Sequence, residues 1–161
     1  METQDLLDYL NIPFSFQKRP TPLTPQLRVI WGLSILVLIL DIGSRGNSSS
    51  VTRLHLLNWA IRSDENRQRM SKLLENRSSP VADFIQYDPA FTRAIEYAIA
   101  EGLVEMKNNV TNKPINLIMR GKKLANEIIN TENCLKEEKS FLQLKGNLVT
   151  ETLAKSLFRL T

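Results

Sequence analysis

Hydrophobic and polar positions change period several times along this chain. Between Pro25 and Ile42 nearly every residue is apolar, and Leu27, Val29, Ile30, Trp31, Leu33 and Ile35 to Leu40 cover the whole circumference of a helix. A helix apolar all round must be enclosed, and in a small domain this predicts a partner subunit or a second copy over one face. Thr24 and Pro25 supply a cap and a first helical position, and Gly43 ends the run before "GSRGNSSS", which reads as a flexible loop. Leu54, Leu57, Trp59 and Ile61 then mark a helix, and Ser63 before Asp64 and Glu65 caps another through about Glu75. Residues 81–88, "VADFIQYD", alternate like a short strand.

Asp88 and Pro89 open the next helix, with Phe91, Ala94, Ile95, Ala98 and Ile99 at the 3.6-residue period and Gly102 at its end. "LVEMK" and "INLIM" read as two strands around "NNVTNKP", and "GKKLANEII" starts a further helix. The tail from Thr131 reads as two helices broken near Gly146, its leucines and phenylalanines spaced for packing or dimerisation. Ahead of all this, residues 1–23 form an arm. An amphipathic "DLLDYLNI" is followed by "PFSFQKRPTPL", where three prolines favour an extended path and Phe14 and Phe16 alternate like a docking peptide. The expected division is an arm over 1–23, a domain over 24–130 and a helical extension over 131–161.

Within that pattern, "DPAFTRAIEYAIAEGLVEMKN" followed by "INLIMRGKKLANEI" resembles the recognition helix, wing and following helix of the winged helix-turn-helix superfamily. The "AEGLVE" and "LIMRGKKLA" steps carry that resemblance. With the apolar helix after "PLTPQLR" and the "RLHLLNWAIRS" helix, residues 22–130 look more narrowly like the middle component of bacterial three-component systems built on an SMC/Rad50-like ABC ATPase, of which Lamassu-type phage defence is an example. The resemblance implies a mostly α (α+β) fold, a winged helix-turn-helix with an N-terminal arm and additional C-terminal helices. It also implies a non-enzymatic accessory subunit that docks on the ATPase and links DNA sensing to an effector subunit.

Charge sharpens the functional question. The formal charge is +4 with a pI near 9.3, which permits a nucleic-acid contact without demanding one. Residues 88–102, the helix that would enter a major groove, hold Arg93 alone against Asp88, Glu96 and Glu101. Phosphate neutralisation supplies most non-specific affinity, so this helix argues against operator-style reading. Cations gather elsewhere: residues 42–80 hold Arg45, Arg53, Arg62, Arg67, Arg69, Lys72 and Arg77 against Asp64, Glu65 and Glu75. A second cluster comprises Lys113, Arg120, Lys122 and Lys123. Arg45, Arg67, Arg69, Lys72, Lys113, Arg120, Lys122 and Lys123 are therefore candidates for a DNA-backbone contact without base readout. The same residues read equally as solvated faces, paired with nearby acids or matched to an acidic partner. Candidate partner contacts are Phe14, Phe16, Trp31, Leu36, Leu153, Leu157 and Phe158. The rival to an adaptor is a dimeric winged-helix transcription regulator joined through its last helices.

Catalytic chemistry finds little support. Cys134 and His55 are the only residues of their types, which excludes an intrachain disulfide and multi-cysteine zinc sites. His55 reads as a packed helical histidine and Cys134 as an apolar filler. Asp64/Glu65 and Glu137/Glu138 are adjacent in sequence and point to different helix faces. "GSRGNSSS" lacks the lysine of a phosphate loop. No enzyme, cofactor or metal is expected. The apolar run at 29–40 is too short to span a bilayer, and the acidic start does not read as a signal peptide, so a cytoplasmic location is expected. The Asn-x-Ser/Thr matches at Asn47, Asn76 and Asn109 are then coincidental.

Overall fold

Capping residues place several helix starts. A computed structural model describes residues 25–76, 85–108 and 113–158. Helix α1 (Pro25–Asp41) leads into a 3-10 turn at Arg45–Asn47, strand β1 (Ser48–Ser49) and helix α2 (Val51–Ile61). The Ser50 hydroxyl accepts the Arg53 N–H at the start of α2, and Ser63 does the same for Asn66 at the start of α3 (Asp64–Glu75). Helix α4 (Pro89–Ala100) begins where the Asp88 carboxylate accepts the Ala90 N–H. It ends where Gly102 turns left-handed (φ +66°), a conformation glycine adopts without steric cost. The chain then forms β2 (Val104–Met106), β3 (Ile115–Leu117), α5 (Met119–Asn130), α6 (Lys136–Lys145), a 3-10 turn at Gly146–Leu148 and α7 (Glu151–Phe158).

The result is mostly α (α+β): seven helices and a three-stranded antiparallel sheet among the described residues. The strand order is β1-β3-β2, with Ser49 and Met106 flanking Ile115 from either side. Helix α1 is the axis of the core. It packs on α4 and α5 and also meets α2, α6 and β3. Ile35, Leu36, Val37, Leu38, Ile39 and Leu40 are all fully buried.

Two sequence expectations change. Helix α1 was expected to need a partner subunit, and instead the chain's own helices enclose its C-terminal half. Leu36, a candidate partner contact, is thus a core residue with no surface to offer. The "GSRGNSSS" segment, expected as a flexible loop, supplies β1 and buries Ser44, Ser49 and Ser50. Its strand is only two serines long, so no alternation announces it. The expected strand at 81–88 lies partly outside the described residues, and residues 85–88 form none, although Ile85 is buried in the core. The expected arm with Phe14 and Phe16, the expected Thr24 cap, Arg77 and residues 109–112 of the expected wing turn also lie outside the described residues.

The C-terminal helices belong to the same core: Phe141, Leu142, Val149, Ala154 and Leu157 join the cluster built on α1. Lys139 is buried, and its ammonium donates to the carbonyls of Ile128, Ile129 and Thr131, satisfying the open end of α5.

Candidate functional site

Arg53 on α2 was counted with the surface cations, and the structure corrects this: it is 6% exposed. Its Nε donates to the Val149 carbonyl at 2.6 Å. Nη1 donates to the hydroxyls of Ser44 (2.7 Å) and Ser49 (3.1 Å), and Nη2 to the carbonyls of Gly43 (2.6 Å) and Gly146 (2.9 Å). All five guanidinium donors are thereby used. Gly43 and Gly146 meet backbone to backbone, where a Cβ on Gly146 would come within 2.8 Å of the Gly43 Cα. Glu151 completes the node by accepting the Ser50 N–H (3.0 Å) and the Ser50 hydroxyl. Burial lowers the Arg53 pKa and Glu151 raises it in part. This node joins the end of α1, β1, α2 and the C-terminal segment. It is structural and has no donor left for phosphate.

His55, two residues further along α2, is 1% exposed. Its Nδ1 accepts the Asp88 N–H (3.2 Å), which leaves the proton on Nε2 to be donated to Thr92 Oγ1 (3.3 Å). The Thr92 hydroxyl in turn donates to the Asp88 carbonyl (3.2 Å). Tyr87 and Phe91 pack edge-on to the imidazole. Desolvation lowers the His55 pKa to about 4 against the opposing pull of Asp88. A neutral histidine thus fixes the turn that starts α4, in a setting that matches a packed helical histidine.

The outward face of α4 carries Ala90, Arg93, Glu96, Tyr97, Ala100 and Glu101, with Tyr97 53% exposed. One cation stands against two carboxylates on that face. Of the DNA-backbone candidates, Arg67 ties down locally, donating to the Ile61 carbonyl (2.7 Å) and pairing with Asp64. Arg69 pairs with Glu65 at 2.6 Å. Arg120 donates to the Glu101 carbonyl (2.7 Å) and remains largely exposed. Arg45, Lys72, Lys113, Lys122 and Lys123 make no ion pair with another described residue, and all but the half-buried Lys122 are exposed. Arg62 bridges to Asp88 at 3.2 Å.

The partner candidates divide as well. Leu157 is buried in the chain's own core, and Phe158 stacks on Tyr87 with ring centroids 4.6 Å apart. Leu153 is half-buried beside Leu73, Leu74 and Leu148 in a cavity of about 350 Å³. Trp31 lines a larger groove of about 770 Å³ between the N-terminal half of α1, the start of α4 and the start of α6. Ile30, Phe91, Asp88, Cys134, Leu135 and Glu138 share that groove. Sequence reasoning missed both the groove and the Arg53 node. An arginine in "SVTRLHLLNW" with leucines following was a faint sign of burial, whereas the segments that meet at the groove carry no common signal.

Among the described residues no group of three metal-ligating side chains converges, and no helix is long and apolar enough to cross a membrane. No family model, no curated protein and no solved structure matches the chain.

Proposed function

We propose that this chain is a cytoplasmic, non-enzymatic adaptor with a winged-helix core, a subunit of an SMC/Rad50-like ATPase complex of the Lamassu type in anti-phage or anti-plasmid defence. It docks on the ATPase, connects it to an effector subunit, and meets double-stranded DNA only at the phosphate backbone. The observation that carries this reading is the outward face of α4, where Arg93 faces Glu96 and Glu101 beside a half-exposed Tyr97. Carboxylates repel phosphate, and an exposed aromatic ring beside mixed charge suits a protein surface better than a DNA groove. The β1-β3-β2 order and the hairpin following α4 support a winged-helix core. The exposed cations Arg45, Lys72, Lys113, Arg120 and Lys123, with half-buried Lys122, supply the backbone contact.

The dimeric regulator is the second reading, favoured by exposed Leu144 and Leu148 on the C-terminal segment. Against it, Phe141, Leu142, Ala154 and Leu157 are spent in the chain's own core. Purification of the tagged chain from its host with mass spectrometry separates the two. The adaptor brings down a large coiled-coil ATPase, whereas a lone dimer gripping one operator overturns the proposal. In the assembled complex, Arg120→Glu, Lys122→Glu and Lys123→Glu together are expected to weaken DNA binding at least tenfold at low salt and to flatten its salt dependence. Unchanged binding across a salt series removes these cations from the contact.

A further inference from the structure

The 770 Å³ groove beside Trp31 falls within the roughly 300–1,000 Å³ typical of recognition pockets. Its floor is apolar, from Ile30, Trp31, Phe91 and Leu135; on its rim Arg62 and Asp88 neutralise each other, which leaves Glu138, without an ion pair to another described residue, as the unbalanced charge. Ile30 is 58% exposed at this edge of a helix whose other half is sealed. An occupant of matching chemistry would bring alternating aromatic rings followed by cations. Residues 13–20 of this chain read Pro-Phe-Ser-Phe-Gln-Lys-Arg-Pro, immediately upstream of α1.

We propose that this groove receives the chain's own upstream segment, with Phe14 and Phe16 against the apolar floor and Lys18 toward Glu138. Reach permits it. Ile30 lies five residues into α1 beyond Pro25, about 8 Å along the axis at 1.5 Å per residue. Phe16 precedes Pro25 by nine residues, which span up to about 30 Å when extended, enough to double back along the helix. Three prolines between residues 13 and 22 keep that stretch from simply continuing α1 upstream, and they reduce the entropy lost on docking. Phe14, Phe16 and Lys18 share one parity, so an extended strand presents all three to the same side. The inference is independent of the adaptor reading.

Cys134, the chain's single cysteine, lines the groove four residues before Glu138 and serves as the probe. In full-length protein, Lys18→Cys is expected to form an intrachain disulfide with Cys134 under mild oxidation at least tenfold faster than Gln4→Cys, because bridging needs Cβ atoms about 4 Å apart. The product runs as a monomer on a non-reducing gel. In a separate Phe14→Ala/Phe16→Ala variant, the Cys134 thiol is expected to react with DTNB at least fivefold faster than in the parent chain. Equal disulfide rates for the two cysteine variants overturn the proposal, as does an unchanged Cys134 reactivity. A disulfide-linked dimer also overturns it and assigns the groove to the segment of a second copy.

Discussion

Both halves of α1 carry large apolar side chains, yet their surroundings differ. From Ile35 to Leu40 every side chain is sealed by α2, α4, α5, α6 and β3, whereas Ile30 stands 58% exposed beside a groove. Apolarity states that a segment prefers to be covered; it does not state what covers it. The cover at the C-terminal half comes from β3 and from helices that begin at Val51 and end as late as Lys145, and no local pattern could reveal which of them arrive.

The sharpest way to break this comparison is to place a charge in each half. Leu36→Asp is expected to unfold the chain or cost about 4 kcal/mol or more, since an unpaired carboxylate cannot stay buried. Ile30→Asp is expected to cost far less, about 1 kcal/mol, because only the proposed upstream segment would cover that position. Denaturant titration of both variants measures the contrast, and equal costs would erase it. Next in size is Arg53→Met, expected to destabilise by about 3 kcal/mol because the carbonyls of Gly43, Gly146 and Val149 lose their donor. Arg45→Met, on an exposed neighbour, is expected to leave the denaturation midpoint in place.

A smaller effect comes from pH. The native His55 pKa of about 4 lies below the ordinary 6.5, so the unfolded chain takes up the proton first as pH falls. Stability from this group is complete above about pH 6.5 and fades toward pH 4. A His55→Gln variant is expected to lose that slope between pH 6.5 and 4 in denaturant titrations, and a retained slope would assign it to another group. Smallest of all, Arg69→Ala is expected to cost at most about 0.5 kcal/mol, since its bridge to Glu65 is exposed at both ends.

What could be read in advance followed local chemistry. Ser63, Asp88 with Pro89, and Gly102 stand at helix ends as their side-chain or backbone chemistry requires. The two strands expected around "NNVTNKP" formed within a residue or two of expectation. Long-range pairing was not legible. Ser48 and Ser49 become a strand only because Asn116 and Ile115 arrive beside them. Arg53 looked like one more surface cation because the five oxygens that hold it are supplied by residues 43–49 and 146–149. The candidate cations were easy to enumerate, but the local pairing of Arg67 with Asp64 and of Arg69 with Glu65 required coordinates to see.

That guanidinium also sets an order of events during synthesis. While a nascent chain has not yet delivered residues 146–149 past the ribosomal exit, three of the five oxygens can be in place at most, and the charged group sits half-solvated in an unfinished core. A ribosome paused at that stage would therefore hold an intermediate whose Arg53 lacks two of its carbonyl acceptors, with the helix pair around α1 already able to close.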